Sequence, residues 1–229
     1  MPVAASPILT FPDPRNNQRV QLFSGLGPEE MSRIAEHARS LRKARGDFIF
    51  MPGDRADLVY ILKQGRVKLS VLSESGKEIA IDIIQRGEIF GEFALVDESL
   101  RSNMTQALDD VLMLVFSKHD FTKLLKSLPN LSFSYIRLVG DRRRRMEKKL
   151  SDITSKPVSG RICELLHELS TASDYLVPLT HQDVASLIGA ARQTTTTVLN
   201  DLERRGIIEL GRGSIRVKRL KELQTYAVF

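Results

Sequence analysis

The segment Leu179–Ile208 limits what this 229-residue chain can fold into more than any other part of it. Thr180 can cap a helix, and Asp183, three residues later, is the acidic partner of a capping box. Gly189 tolerates the positive φ of a tight turn between two helices. Helical spacing of apolar residues resumes behind this glycine and predicts a second helix over Arg192–Arg205. The segment therefore predicts a helix-turn-helix.

The first turn of the second helix carries polar side chains where recognition helices touch base edges. The four threonines Thr194–Thr197 are poor helix formers, so helix propensity does not explain them, and their hydroxyls can instead bond phosphates or bases. Two strand-like runs flank Gly211-Arg212-Gly213 and predict a wing behind the helix. The predicted DNA-binding residues are Thr180, Gln182, Arg192, Gln193, Thr194, Thr196, Thr197 and Arg212. The alternative, a plain structural hairpin of two helices, leaves this choice of residues unexplained.

Composition narrows the class of protein. Hydrophobic residues make up 42% of the chain, which gives no reason to expect global disorder. The single cysteine, Cys163, excludes a disulfide framework within the chain and fits a reducing compartment. No apolar run approaches the roughly 20 residues that a membrane span needs, and the N-terminus lacks the features of a signal peptide. We therefore expect a cytoplasmic protein that does not engage a membrane.

The net charge of +6 is concentrated in the middle of the chain. Residues 131–156 hold 8 basic and 3 acidic side chains, whereas residues 1–130 hold 17 of each. Proline spacing predicts an irregular N-terminal arm over residues 1–19. Residues 20–128 are predicted to form an antiparallel β-roll, because short strand-like runs alternate there with Gly, Asp and Ser turns. These runs are Phe48–Met51, Val59–Leu62, Val67–Leu72, Ile79–Ile84 and Val111–Phe116, with helices expected near Gly27–Ala38 and Lys118–Ser127.

A glycine-rich corner of the predicted roll holds candidates for binding an effector. Gly91 can place backbone N–H groups around an anion, and Arg101 offers a guanidinium fork suited to a phosphate. Glu92 can accept hydrogen bonds from a sugar hydroxyl, and Phe93 and Ser102 complete the set. The segment looks like the phosphate-binding cassette of cyclic-nucleotide-binding domains. The alternative is an ion pair between Glu92 and Arg101 that braces an empty roll.

A long helix is predicted over residues 129–156, before a DNA-binding domain at 157–229. Its apolar positions follow a heptad rhythm when Arg143 is included, which predicts a parallel homodimer. The predicted dimer seam consists of Ile136, Val139, Met146, Leu150 and Ile153. The run Arg142–Arg145 spans more than one helical turn, so at least one arginine must face the partner or the roll. Arg142 and Arg143 are therefore added to the candidate effector-binding residues.

The order β-roll, long helix, winged helix resembles the Crp-Fnr family of bacterial transcription regulators. The residues that carry the resemblance are Gly53-Asp54, Gly65-Arg66-Val67, Gly91-Glu92-Phe93, Arg101-Ser102, Val158–Ile162 and Gly189–Leu202. It implies an α+β fold, a homodimer on a near-palindromic duplex DNA site, RNA polymerase as a further partner, and no enzymatic activity. A regulatory subunit of a kinase or channel is the alternative from another class, and the winged helix argues against it.

The resemblance also separates possible effectors. Cyclic-AMP-responsive members read adenine with a Thr-Ser pair on the long helix, where this chain has Met146 and Glu147. The expected effector is therefore a nucleotide or another small anion bound differently, or the regulator needs none. A single cysteine excludes the iron–sulfur cluster of the oxygen-sensing branch, and no His/Cys set has metal-ligand spacing. No cofactor is assigned with certainty.

Base preference follows from the same resemblance. Arg192 occupies the position that contacts guanine, and Gln193 replaces the usual glutamate, which favours adenine over cytosine. Thr197 replaces a second arginine of the family pattern. The half-site is therefore expected to differ from the common family half-site at two positions.

Overall fold

The computed structural model of the chain describes residues 22–23, 25–96, 99–170 and 175–226, so the predicted arm at 1–19 lies outside the described residues. The helices are α1 (Pro28–His37), α2 (Lys118–Ser127), α3 (Pro129–Ser155), α4 (Val158–Ser170), α5 (His181–Ile188), α6 (Arg192–Arg204) and α7 (Leu220–Tyr226). The strands are β1 (Arg39–Lys43), β2 (Phe48–Phe50), β3 (Leu58–Gln64), β4 (Val67–Leu72), β5 (Glu78–Ile84), β6 (Ile89–Phe90), β7 (Met104–Ala107), β8 (Val111–Ser117), β9 (Leu176–Val177), β10 (Ile208–Gly211) and β11 (Ser214–Val217).

The chain divides into two compact units. The first comprises Met1–Leu72 and Asp82–Arg143, and the second comprises Ser73–Ile81 and Arg144–Phe229. The first unit is built on two four-stranded antiparallel sheets, in the orders β1-β8-β3-β6 and β2-β7-β4-β5. The predicted α+β class with an antiparallel roll is thus confirmed. Strands β1, β6 and β7 were not predicted, because a five-residue basic segment and segments of two and four residues carry too little alternation to be recognised.

The sheet β1-β8-β3-β6 and the helices α2 and α3 share the core of the first unit. Fully buried side chains from β3, β8, α2 and the start of α3 share one cluster, which includes Ile61, Leu114, Phe116, Phe121 and Leu131. Phe116 and Phe121 meet edge to face with ring centroids 5.5 Å apart. A second aromatic group, Phe50, Tyr60 and Phe90, spans the two sheets with centroid separations of 5.1–6.3 Å. Such aromatic contacts add to the stability that apolar burial provides.

Helix α3 has two distinct faces. One face buries Leu131, Ser134, Leu138 and Arg142, at helical spacings of three and four residues. The other face carries the predicted dimer seam, whose five apolar side chains are 38–68% exposed. Phe133, which was not predicted to belong to the seam, is 64% exposed. An uncovered apolar stripe of this length is typical of a protein–protein contact.

The second unit contains the predicted helix-turn-helix and wing. Strands β10 and β11 form a hairpin with a two-residue turn, Arg212-Gly213, and β9 extends the sheet to three strands. Strand β9 and helix α7 were not predicted, since a two-residue strand and a helix of one or two turns leave weak patterns. The apolar faces of the helices and the hairpin form a core that includes Ile162, Leu166, Val184, Leu199, Leu202, Ile208 and Ile215.

Candidate DNA-binding surface and effector cavity

The caps of α5 form as the sequence predicts. The Thr180 hydroxyl oxygen accepts a hydrogen bond from the Asp183 N–H at 3.1 Å, and the Thr180 N–H donates to the Asp183 carboxylate at 3.0 Å. Gly189 ends the helix with φ of 65°, which is the left-handed region where glycine is favoured. The Thr180 hydroxyl also donates to the Asp183 carboxylate at 2.6 Å. In this arrangement Thr180 holds the helix, and its hydroxyl proton does not point outward to a phosphate.

The first turn of α6 presents free polar groups. Arg192, Gln193 and Thr194 are exposed, and the structure gives their side chains no partner among the described residues. Arg212 is exposed in the turn of the wing. Since all four side chains are unengaged, they are available to phosphates and base edges.

The remaining threonines of the predicted set are partly engaged within the domain. Thr197 donates to the Gln193 carbonyl at 3.1 Å, and buried Thr195 donates to the Ala191 carbonyl at 3.0 Å. Thr196 lies 3.1 Å from Nδ1 of His181, which joins the start of α5 to α6. His181 was absent from the predicted site, although its position directly after the cap Thr180 was a signal for it. Gln182 contacts the Ser186 hydroxyl at 3.3 Å.

Residues of α3 and α4 contact the turn between α5 and α6 and form a brace around it. A Cβ placed on Gly189 would lie 2.9 Å from Cδ1 of Ile153 near the end of α3. Arg161 on α4 donates to the carbonyl of Ile188, the last residue of α5. Ile153, predicted only as a seam residue, therefore also contacts the helix-turn-helix of its own chain. The brace fixes the turn that positions the recognition helix.

Five predicted effector-binding residues meet at one cavity of the first unit. The lining includes Gly91, Glu92, Phe93, Arg101 and Ser102, together with the apolar residues Phe50, Leu69 and Phe90. The free space is about 20 Å³, which is room for about one water molecule. The segment that follows Gly91 is a 3-10 turn of four residues, Glu92–Leu95, entered with φ of 72° at Gly91. The cavity is present, but in this conformation its own side chains fill it.

Arg101 lies at the centre of the lining and is 5% exposed. It donates to the Gly91 carbonyl at 2.8 Å and to the Leu58 carbonyl at 2.5 Å, and its guanidinium lies 4.3 Å from the centroid of the Phe50 ring. Burial raises the pKa of neighbouring Tyr60, although the positive charge of Arg101 acts in the opposite direction. Backbone carbonyls and aromatic rings contact the Arg101 guanidinium, and no carboxylate among the described residues pairs with it. Its Nε is buried without a hydrogen-bond partner there.

The carboxylate of Glu92 pairs with Arg142. The Arg142 guanidinium donates to Glu92 Oε1 at 2.5 Å and to the Ile89 carbonyl at 2.6 Å, and both charged side chains are about nine-tenths buried. The alternative prediction of a Glu92–Arg101 ion pair is wrong, because Arg101 turns to backbone carbonyls and leaves Glu92 to α3. The prediction that at least one arginine of the run faces the partner or the roll is confirmed, since Arg142 faces the roll. Arg143 is exposed, and neither of these two predicted arginines is among the residues that line the cavity.

Cys163 is fully buried in α4, and burial raises the pKa of its thiol to about 12. We expect native protein to resist Ellman's reagent at neutral pH, because only the thiolate is the nucleophile. Absorbance should show one reacting thiol per chain after urea unfolding and almost none before it. Complete reaction of native protein within a minute would contradict this and indicate a reactive thiol.

Two kinds of site are not found in the part of the chain that the structure describes. It contains no group of three or more His, Cys, Asp or Glu side chains that could hold a metal ion. None of its helices combines the length and the apolar character of a membrane span.

Known protein families match both halves of this chain. The family model for the cyclic nucleotide-binding domain matches residues 41–127, and that for the Crp-like helix-turn-helix domain matches residues 160–226. The solved catabolite activator protein of Thermus thermophilus is 28% identical and has a TM-score of 0.51, covering 90% of this chain and 98% of its own. Another Crp-family transcriptional regulator of Thermus thermophilus has a TM-score of 0.70 at 21% identity, covering 82% and 97%, and shows the fold alone.

Curated relatives extend the match over most of the sequence. A cyclic AMP receptor protein from Thermus thermophilus is 29% identical over 207 residues, which are 90% of this chain and 96% of the relative. A global nitrogen regulator from Synechocystis sp. is 30% identical over 208 residues, 86% of this chain and 89% of the relative. With matches of this extent added to the roll and the helix-turn-helix, the chain belongs to the Crp-Fnr family, as a transcription regulator with a cyclic nucleotide-binding domain and a Crp-like helix-turn-helix domain.

Proposed function

We propose that the protein is a dimeric regulator that binds a near-palindromic DNA sequence and responds to a small anionic effector. The observation that carries the DNA-binding part is the first turn of α6, where Arg192, Gln193 and Thr194 are exposed and unengaged among the described residues. In this proposal Arg192 bonds guanine, Gln193 bonds adenine, and Thr194 and Arg212 contact phosphates. Thr180, Gln182, Thr196 and Thr197 contribute after their hydroxyl or amide groups reorient.

The proposed dimer rests on the uncovered stripe of α3. Burying Ile136 and Leu150, the two most exposed seam residues, against the same residues of a second copy removes apolar surface from water. Arg143 would lie in this seam, where a charged group costs stability but can fix the register of two parallel helices. Two-fold symmetry would then place two recognition helices one DNA turn apart. RNA polymerase is the expected partner of the bound dimer.

The proposed effector site is the cavity between Gly91 and Arg101. A buried guanidinium that pairs with no carboxylate among the described residues favours an incoming anion, because charge-assisted hydrogen bonds are stronger than neutral ones. Met146 and Glu147 provide no hydroxyl pair, so recognition of adenine from α3 is not proposed. A regulator that needs no effector is the second candidate, and two observations favour it: Glu92 is already paired with Arg142, and the free space of the cavity is small.

Selection from a library of random duplexes tests the DNA-binding proposal. The full chain is incubated with the library, and bound sequences are recovered over several rounds at fixed salt concentration, since phosphate contacts make affinity strongly salt-dependent. Two inverted half-sites about one helical turn apart support a dimeric reader. A single half-site contradicts the dimer, and the absence of an enriched motif contradicts sequence-specific binding.

Gln193→Glu is expected to move the preferred base in the selected motif from adenine towards cytosine, because a carboxylate accepts from the cytosine amino group. The changed contact should shift the difference in binding free energy between the adenine-containing and the cytosine-containing half-site by about 1–3 kcal/mol, measured by fluorescence anisotropy. Gln182→Glu, which changes a predicted phosphate contact by the same chemistry, is the matched control. This control should weaken binding to both half-site sequences equally. An unchanged motif for Gln193→Glu would contradict the role assigned to Gln193.

A further inference from the structure

Thr105 on β7 has a buried hydroxyl for which the contacts described so far give no partner among the described residues. The side chain is 0% exposed, and its Oγ1 has no hydrogen-bond partner among the described residues. A buried hydroxyl without a partner is costly, so native proteins rarely keep one without a reason. Thr105 was not among the predicted site residues, and it is not a glycine, a charge or part of a motif that sequence patterns could single out.

The strand register places Thr105 next to the effector cavity, between two residues that line it. Its Cα partner on β4 is Leu69 and its Cα partner on β2 is Phe50, and both partners line the cavity. Residues directly opposite each other in antiparallel strands project to the same face of the sheet. The Thr105 side chain therefore stands between Phe50 and Leu69 on the side that faces the cavity.

A second buried group without complete hydrogen bonding lines the cavity itself. The Nε atom of Arg101 is buried and has no partner among the described residues. The Arg101 guanidinium lies over one face of Phe50, whose strand neighbour is Thr105. One small molecule can thus reach a cation and the hydroxyl across a single aromatic ring. The cation and the hydroxyl together define the chemistry of its two ends.

We propose that Thr105 is an effector-binding residue that hydrogen-bonds the far end of an organic anion whose charged group bonds Arg101. The effector then has a phosphate or carboxylate at one end and an oxygen or nitrogen with hydrogen-bonding capacity at the other. Its entry requires the side chains that line the cavity to move apart, because the present free space is about 20 Å³. This inference rests on the proposed effector site and supplies a polar contact from the sheet in place of the hydroxyl pair absent from α3.

Thr105→Val tests the assignment because valine keeps the shape and removes the hydroxyl. Without effector, the melting temperature of this variant should equal or exceed that of the wild type, since no internal hydrogen bond is lost. Thr122→Val is the matched control, because the Thr122 hydroxyl donates to the Lys118 carbonyl at 2.7 Å in the same unit. That variant should melt at a lower temperature. A clear fall in the melting temperature of Thr105→Val would overturn the proposal, because it would give the hydroxyl a structural partner.

Binding is then measured by calorimetry with the full chain and two sets of probes. Cyclic AMP and cyclic GMP represent nucleotide phosphates, and citrate and glucose 6-phosphate represent other organic anions. At least one organic probe should bind the wild type and lose about tenfold in affinity with Thr105→Val, while Thr105→Ser restores it. The set that binds identifies the source of the anion. Inorganic phosphate, which has no far end, should bind the wild type and Thr105→Val alike.

Two outcomes overturn the assignment of Thr105. Either no organic probe binds the wild type at millimolar concentration, or every probe that binds does so equally well with Thr105→Val. Duplex DNA affinity is measured on the same samples without effector. Specific DNA binding that persists keeps the proposed regulator intact when the Thr105 assignment fails, so the two failures are distinguished.

Discussion

Alanine in place of Arg142 is expected to lower the free energy of unfolding of the first unit by about 3–5 kcal/mol, because it leaves a buried carboxylate without its cation. Glu92 has only about a tenth of its side chain exposed, so water does not replace the lost guanidinium. The Ile89 carbonyl loses its donor in the same variant. Urea unfolding followed by hydrogen exchange of peptides that cover residues 89–95 measures the loss in this unit.

Arg137→Ala is the matched control, since it removes the same chemical group from another residue of α3, where the side chain is exposed. We expect it to change the free energy of unfolding by no more than about 0.5 kcal/mol. The double variant Arg142→Leu with Glu92→Leu should recover much of the loss, because replacing both members of a buried pair removes the unpaired charge. A loss below about 1 kcal/mol for Arg142→Ala would show that Glu92 finds another partner or reaches solvent.

Gly189→Ala is expected to weaken duplex DNA binding at least tenfold and to destabilise the helix-turn-helix by about 1–2 kcal/mol, the cost of holding a residue other than glycine at φ of 65°. In addition, the new Cβ would lie 2.9 Å from Cδ1 of Ile153, so the end of that side chain must move aside. Anisotropy with labelled duplex and thermal unfolding measure the two effects.

Gly206→Ala separates the backbone cost from the contact with Ile153. Gly206 has φ of 69°, and the nearest atom to an added Cβ is Nη2 of Arg219 at 3.7 Å, an ordinary distance. We expect this variant to show only the backbone cost. Equal effects of the two glycine variants would exclude the contact with Ile153 as a further cause.

Local rules were sufficient where one short segment determines the geometry. The capping box of Thr180 and Asp183 and the left-handed Gly189 could be predicted because their partners lie within four residues. The exposed stripe of α3 followed from periodicity in the same way. In the roll, alternation located the longer strands β3, β4, β5 and β8, and it failed for the two-residue strand β6.

The interior of the effector cavity depends on contacts that periodicity does not encode. Glu92 and Arg142 are fifty residues apart, so the sequence indicated that one arginine of the run turns inward without identifying its carboxylate. The register that places Thr105 beside Leu69 depends on the pairing of β4 with β7, and β7 itself was too short to predict. Polar residues of this kind can be identified only once the pairing of the strands is known.

In the proposed sensor, the ion pair between Glu92 and Arg142 would set the effector concentration at which the response begins. A molecule that bonds the Glu92 carboxylate would have to displace Arg142 from it, so its apparent affinity would be its intrinsic affinity multiplied by the fraction of molecules in which the pair is open. Each 1.4 kcal/mol needed for opening raises the half-saturating concentration tenfold. Substitutions at position 142 would thus tune the dose at which the regulator responds over orders of magnitude while Arg101 and the rest of the binding contacts stay the same.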